Sequence, residues 1–136
     1  MSMKLEMGFG FLTNFERPPR KVWEEYRDFA TSNIADAMGR FGAMEHSIKP
    51  IAERMKIVGP AVTVRLRTGD NLMAHQAIAI AEPGDVIVID AAGNVTNAVW
   101  GEIMSFAAQT KGVGGLVIDG AIRDRIAIVK LGFPVF

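Results

Sequence analysis

Two acidic residues and one arginine stand where a sheet edge could collect them. Glu102 lies in Trp100-Gly101-Glu102-Ile103-Met104 and is separated by twenty intervening positions from Arg123-Asp124. Each acid follows an apolar, strand-like run: Val86-Ile87-Val88-Ile89 before Glu102, and Gly115-Leu116-Val117-Ile118 before Asp124. In a parallel α/β sheet, neighbouring strands deliver their following loops to one edge, and ligand sites form there. The spacing therefore predicts a cleft holding two carboxylates, one guanidinium and a helix N-terminus. That set suits a hard divalent cation that binds an anionic oxo acid. The free amides of Ile103 and Met104 are expected to face the cleft and donate to a carboxylate. Ala91-Ala92-Gly93-Asn94 is poor in side chains and leaves room for a ligand to approach backbone.

Taken singly, these residues have plainer explanations. An acid in the first turn of a helix gains roughly 0.3–1 kcal/mol from the helix dipole, and a lone arginine is more often a surface or ion-pair residue. Their coincidence at one edge is what favours a joint role. Asp90 and Asp119 each end a strand and compete as site residues, although Asp after a strand also commonly serves as a turn or cap. His75 sits between apolar neighbours in a helix and His46 in a polar loop, which makes no zinc motif. Gly112-Val113-Gly114-Gly115 precedes a strand, so it reads as a connector rather than a phosphate-binding fingerprint. Lys111 and Lys130 are expected to be solvated at helix ends, and Lys49 and Lys56 lie in a polar connector and at a strand start. Schiff-base chemistry needs a desolvated lysine, so a covalent aldolase mechanism is disfavoured.

The elements that must position these groups follow from periodicity. Residues 1–17 read as an irregular arm. After Pro18-Pro19, the residues Val22, Trp23, Tyr26, Phe29 and Ala30 share one helical face. Thr31-Ser32 can cap a second helix with Ile34, Ala35 and Met38 inward. Strands are expected over 56–67, 86–90 and 116–119, with helices over about 71–81, 98–111 and 123–131 and a loop over 91–97. This alternation predicts a mainly parallel sheet with helical crossovers. Gly132-Phe133-Pro134-Val135-Phe136 reads as a turn entering another strand, whose apolar open edge would pair with or bury against another chain.

Composition narrows the function classes. The 136 residues are enough for one domain with a core. The formal charge is +0, so no basic surplus points to nucleic acid or an anionic membrane surface. The absence of cysteine removes disulfides, thiolate metal sites and cysteine nucleophiles. No apolar run approaches the ~20 residues of a membrane helix, and no convincing secretory leader is visible, so a cytoplasmic location is expected.

Four further blocks carry a resemblance. Asn33-Ile34-Ala35-Asp36-Ala37, Ile57-Val58-Gly59-Pro60-Ala61-Val62-Thr63-Val64, Pro83-Gly84-Asp85-Val86 and Gly120-Ala121-Ile122-Arg123-Asp124 resemble the RraA-like family. That family includes 4-hydroxy-4-methyl-2-oxoglutarate aldolases, oxaloacetate decarboxylases and regulators of ribonuclease activity. The likeness runs over about 32–136 and implies one RraA-like domain across 1–136. It implies a swivelling-type β/β/α fold, here lacking the family's C-terminal β segment, and a homotrimer or homohexamer.

By the same resemblance, Asp124 would bind Mg²⁺ or Mn²⁺ and Glu102 would hold the cation through waters. Arg123 would contact a small 2-oxo acid, and the Ile103 and Met104 amides would take its carboxylate. The family usually has Asp at the position of Glu102, and many lyases carry an acid where this chain has Ala127. The implied activity is retro-aldol cleavage to pyruvate or decarboxylation of oxaloacetate, both through a metal-stabilised pyruvate enolate, with a metal-bound water as proton shuttle. The family's other activity, binding a ribonuclease or helicase as a regulator, is the alternative.

Overall fold

A computed structural model of the chain describes residue 10 and residues 12–136. The arm expected over 1–17 falls partly outside the described residues; residues 12–17 carry no helix or strand. The elements that follow are α1 (Arg20–Glu24), continued by a 3-10 turn (Glu25–Asp28), α2 (Thr31–Ala37), β1 (Ala61–Arg65), α3 (Leu72–Ile80), β2 (Val86–Trp100), α4 (Glu102–Thr110), β3 (Gly115–Ile122) and α5 (Arg125–Leu131).

The protein is a mixed α/β fold. Its strands form a parallel sheet in the order β1-β2-β3. Val135 extends the row by bridging in parallel to Leu116, and Ile118 N–H donates to the Phe136 carbonyl at 2.8 Å. Successive strands step in one direction across the sheet. Right-handed crossovers then place all their helices on one face. The buried cluster follows that rule: Val62, Ile87, Ile89, Leu116 and Ile118 from the strands meet Ala74, Ala77, Met104, Ala108 and Ile128 from α3, α4 and α5. Alternation sends Thr63, Arg65, Val88, Asp90, Val117 and Asp119 to the other face. There they line a hollow of about 680 Å³ that is partly covered by Met44, Glu45, Ser47 and Ile48.

Several expectations change. β2 is fifteen residues long and absorbs the loop expected over 91–97, as well as Ala98–Trp100 at the expected start of the next helix. The reason is pairing: Asn94, Ala98 and Trp100 pair with Gly120, Ala121 and Ile122, with a register shift before each of the three. β1 is shorter than its apolar run. The first helical stretch is broken, and Val22, Tyr26 and Phe29 are exposed rather than inward, as is Met38 at the C-cap of α2. Only Trp23 reaches the body, its ring edge lying over Gly84, whose φ of +94° suits glycine. α2 starts after Ala30 with no side-chain cap from Thr31 or Ser32. Lys111 is not free in solvent; its Nζ donates to the carbonyls of Ile78 and Ala79 at the end of α3. The apolar ending does not stay open either. Phe133 and Val135 are buried within the chain, and Ile51 N–H donates to Val135 O at 3.0 Å.

A long-range ion pair ties the entry of β2 to the arm. Asp85 is 1% exposed and receives Arg17 at 2.8–3.0 Å and the Glu82 amide at 2.8 Å. These donors satisfy the oxygens of a carboxylate that the fold removes from water.

Candidate active site at the ends of β2 and β3

β2 and β3 run side by side to their carboxyl ends, where Trp100 pairs with Ile122. The next residue keeps the register, because Arg123 N–H donates to Trp100 O at 2.9 Å. Gly101 and Asp124 therefore leave the sheet together, as the N-caps of α4 and α5. Glu102 N–H donates to Asp124 Oδ2 at 3.2 Å, and Arg123 Nε lies 3.5 Å from the same oxygen. The Asp124 and Arg123 side chains are 43% and 72% exposed, so both can meet a ligand from solvent. The structure thus brings Glu102, Arg123 and Asp124 together. Arg123 and Asp124 precede the helix rather than opening it, contrary to the expected start at 123.

Asp124 sits at φ 60°, ψ 31°, in the left-handed region. Asp and Asn tolerate this conformation better than other residues with a Cβ, for which it costs roughly 1–2 kcal/mol. The turn aims the carboxylate back across Gly101. A Cβ on Gly101 would lie 2.8 Å from Asp124 Oδ2 and 3.1 Å from Arg123 Nε. Gly101 has φ −155°, which any residue adopts, so the demand for glycine here is purely steric.

The start of α4 is fixed from beneath. Buried Trp100 donates from Nε1 to Ser105 Oγ at 2.8 Å, and Ser105 Oγ donates to Gly101 O at 3.0 Å. Trp100 also stacks on Phe133, with ring centroids 6.5 Å apart. Of the first-turn amides, that of Glu102 is taken by Asp124 and that of Ser105 by Gly101 O. Those of Ile103 and Met104 have no acceptor among the described residues. The Met104 side chain is buried, whereas that of Ile103 is 79% exposed. Two unpartnered amides at the positive end of a helix form a ready place for an anion.

Glu102 and Asp124 form one wall of an open hollow of about 770 Å³, completed along α5 by Arg125, Ile126, Ala127, Lys130 and Leu131. No group of three or more His, Cys, Asp or Glu suited to a metal occurs among the described residues. Asp124 Oδ1 has no hydrogen-bond partner among them and is open for coordination. Two carboxylates with the remaining positions left to water and substrate fit Mg²⁺, which keeps several waters, better than Zn²⁺, which prefers His and Cys donors.

The competing residues go elsewhere. Asp90 and Asp119 line the hollow on the opposite sheet face. Asp90 accepts the Ala92 amide at 2.9 Å and pairs with Arg65 at 2.8 Å; the amide first, then the guanidinium, holds its carboxyl below the usual range. This is a turn and ion-pair role. His75 is exposed on α3, and His46 lies in an exposed loop beside Glu45. Ala91-Ala92-Gly93-Asn94 belongs to β2 and does not line the hollow of Asp124.

Sequence reasoning missed Gly101 and the Trp100–Ser105 bond as positioning features. The one available signal was a glycine between a strand's last aromatic residue and the first acid of a helix. Gly101→Ala is expected to lower turnover by ~100-fold, the effect of displacing a reacting group by about 1 Å. The melting temperature should stay near that of the wild type, since the backbone suits alanine. Steady-state kinetics beside a thermal melt checks this; wild-type turnover would show that the contact at Asp124 does not matter.

Comparison with known proteins agrees with this architecture. Residues 31–136 match the RraA-like family model, described as Aldolase/RraA. A Halalkalibacterium halodurans protein named "Putative 4-hydroxy-4-methyl-2-oxoglutarate aldolase" is 45% identical over 112 residues, covering 82% of this chain and 53% of that protein. An uncharacterized Pseudomonas syringae protein superposes with a TM-score of 0.77 at 27% identity, covering 96% of this chain and 61% of the other. The RNA-processing inhibitor RraA from Thermus thermophilis shares the fold, with a TM-score of 0.71 at 23% identity over 79% of this chain and 65% of that one. The chain spans about half the length of the first curated relatives it matches. It belongs to the RraA-like (Aldolase/RraA) family.

Proposed function

We propose that this protein is a divalent-metal-dependent lyase of 2-oxo acids. It would cleave 4-hydroxy-4-methyl-2-oxoglutarate-type substrates to pyruvate by a retro-aldol reaction, decarboxylate oxaloacetate, or both. The observation that carries this reading is the Asp124 carboxylate, held by the Glu102 amide beside Arg123 and next to the unpartnered amides of Ile103 and Met104. The name of the 45% identical relative supports the same chemistry.

Asp124 would hold Mg²⁺ or Mn²⁺ directly and Glu102 through water. When bound, the cation supplies Lewis acidity toward the 2-oxo acid. The Ile103 and Met104 amides take the substrate's carboxylate and fix its direction. Arg123 reaches the 2-oxo oxygen, where negative charge develops as the carbon–carbon bond breaks. Its long, exposed stem lets it leave Asp124 for the substrate. Glu102 orients a water that carries the proton. Exposed Ile103, Phe106 and Ile126 beside the site fit a homo-oligomer, a trimer or hexamer. No helix among the described residues is long and apolar enough to cross a membrane, and a cytoplasmic location is proposed with the lyase reading.

A regulator that binds a ribonuclease or helicase, the family's other class, would need neither the carboxylates nor a cation. Pyruvate release from oxaloacetate, followed with Mg²⁺ and again after EDTA, tests the lyase reading against it.

A further inference from the structure

The hollow beside Asp124 has two chemically different ends. Glu102 and Asp124 make one wall, and Arg125 and Lys130 bring two positive charges to the rest. Arg125 is committed: its Nε and Nη2 both donate to Ile51 O, the former at 2.8 Å. Lys130 is exposed and has no hydrogen bond or ion pair among the described residues. Its helical neighbours at i−4 and i−3 are Ile126 and Ala127, so its own element offers no counter-charge.

Geometry directs this charge toward the reacting end. Helical side chains lean toward the helix N-terminus, which on α5 is the end at Asp124. Six residues at ~1.5 Å rise separate the two Cα atoms by ~9 Å. The lysine stem shortens that gap to roughly the span of a short carbon chain. Ile126 and Ala127 supply an apolar surface between the ends, suited to methylene and methyl groups. A 2-oxo monocarboxylate would occupy the Asp124 end and leave Lys130 idle.

We propose that Lys130 binds the second carboxylate of a dicarboxylic 2-oxo acid in this hollow and thereby selects dicarboxylates over monocarboxylates. This inference rests on the metal-dependent 2-oxo-acid reading of the same site and adds a specificity residue to it.

The test is direct binding to the Mg²⁺-loaded protein by calorimetric titration, with pyruvate as the monocarboxylate and 2-oxoglutarate as an unreactive dicarboxylate. Wild type should bind 2-oxoglutarate more tightly. Lys130→Met should cut that preference by about tenfold, the usual loss for a hydrogen bond to a charged group. Pyruvate affinity should be unchanged, and Lys130→Arg should restore the preference. A role for Lys130 confined to the dipole at the end of α5 would move the melting temperature and not this ratio. If pyruvate binds and the preference survives Lys130→Met, or both ligands weaken equally, the Lys130 assignment is overturned while the site reading stands. If neither ligand binds the Mg²⁺-loaded wild type, both fall.

Discussion

Asp124→Asn should reduce metal-dependent pyruvate release to the level of a metal-only blank while leaving the fold intact. Asparagine is the informative replacement because it accepts the left-handed backbone at this position. Its amide oxygen can still receive the Glu102 N–H, so the two loops stay joined. What disappears is the negative charge that a hard cation requires. Alanine would remove the charge but also add roughly 1–2 kcal/mol of backbone strain, mixing stability with chemistry. Glu102→Gln should be milder, weakening metal affinity by ~10–100-fold as expected for a group acting through water. Mn²⁺ titration with circular dichroism separates these outcomes. Full activity in Asp124→Asn would remove Asp124 from the metal site.

The second large effect is expected at Arg123. Its backbone amide is spent on Trp100 O, which fixes the residue, while its guanidinium is exposed and close to Asp124 Oδ2. A planar fork can grip a carboxylate and the neighbouring 2-oxo oxygen together; an ammonium cannot copy that geometry. Arg123→Lys should therefore lower kcat by about 10²–10³-fold, comparable to removing one donor from a site of developing negative charge. Mn²⁺ affinity and thermal stability should hold, because the positive charge beside Asp124 remains. Wild-type kinetics in Arg123→Lys would reduce Arg123 to a surface cation.

How far the sequence spoke differs by element. The parallel sheet with helical crossovers was legible because Val86–Ile89 and Leu116–Ile118 are short apolar runs separated by helical spacing. The meeting of Glu102 with Arg123-Asp124 was expected from the rule that neighbouring parallel strands end at one edge. The far half of β2 was not legible. Ala91 to Asn94 is made of small and turn-forming residues, with Ala92 and Gly93 at positive φ, and the segment is held to the sheet by the pairing of Asn94 with Gly120. Nor could periodicity show that Val22, Tyr26 and Phe29 would stay about half exposed rather than pack inward among the described residues. Contacts between distant residues stayed hidden as well: Arg17 with Asp85, and Gly101 beneath the Asp124 carboxylate. The left-handed turn at Asp124 has no pattern of its own, because an aspartate before a helix ordinarily reads as an extended N-cap.

In the proposed lyase, Asp124 and Glu102 bring a divalent cation to a 2-oxo acid. The most direct measurement is the initial rate of pyruvate formation from oxaloacetate by the EDTA-stripped protein, read over a metal-only blank as Mg²⁺ or Mn²⁺ is restored. No protein-dependent rate is expected without the cation, a saturable rise with it, and no rise in Asp124→Asn. A rate that survives EDTA, or one equal in wild type and Asp124→Asn, would contradict this.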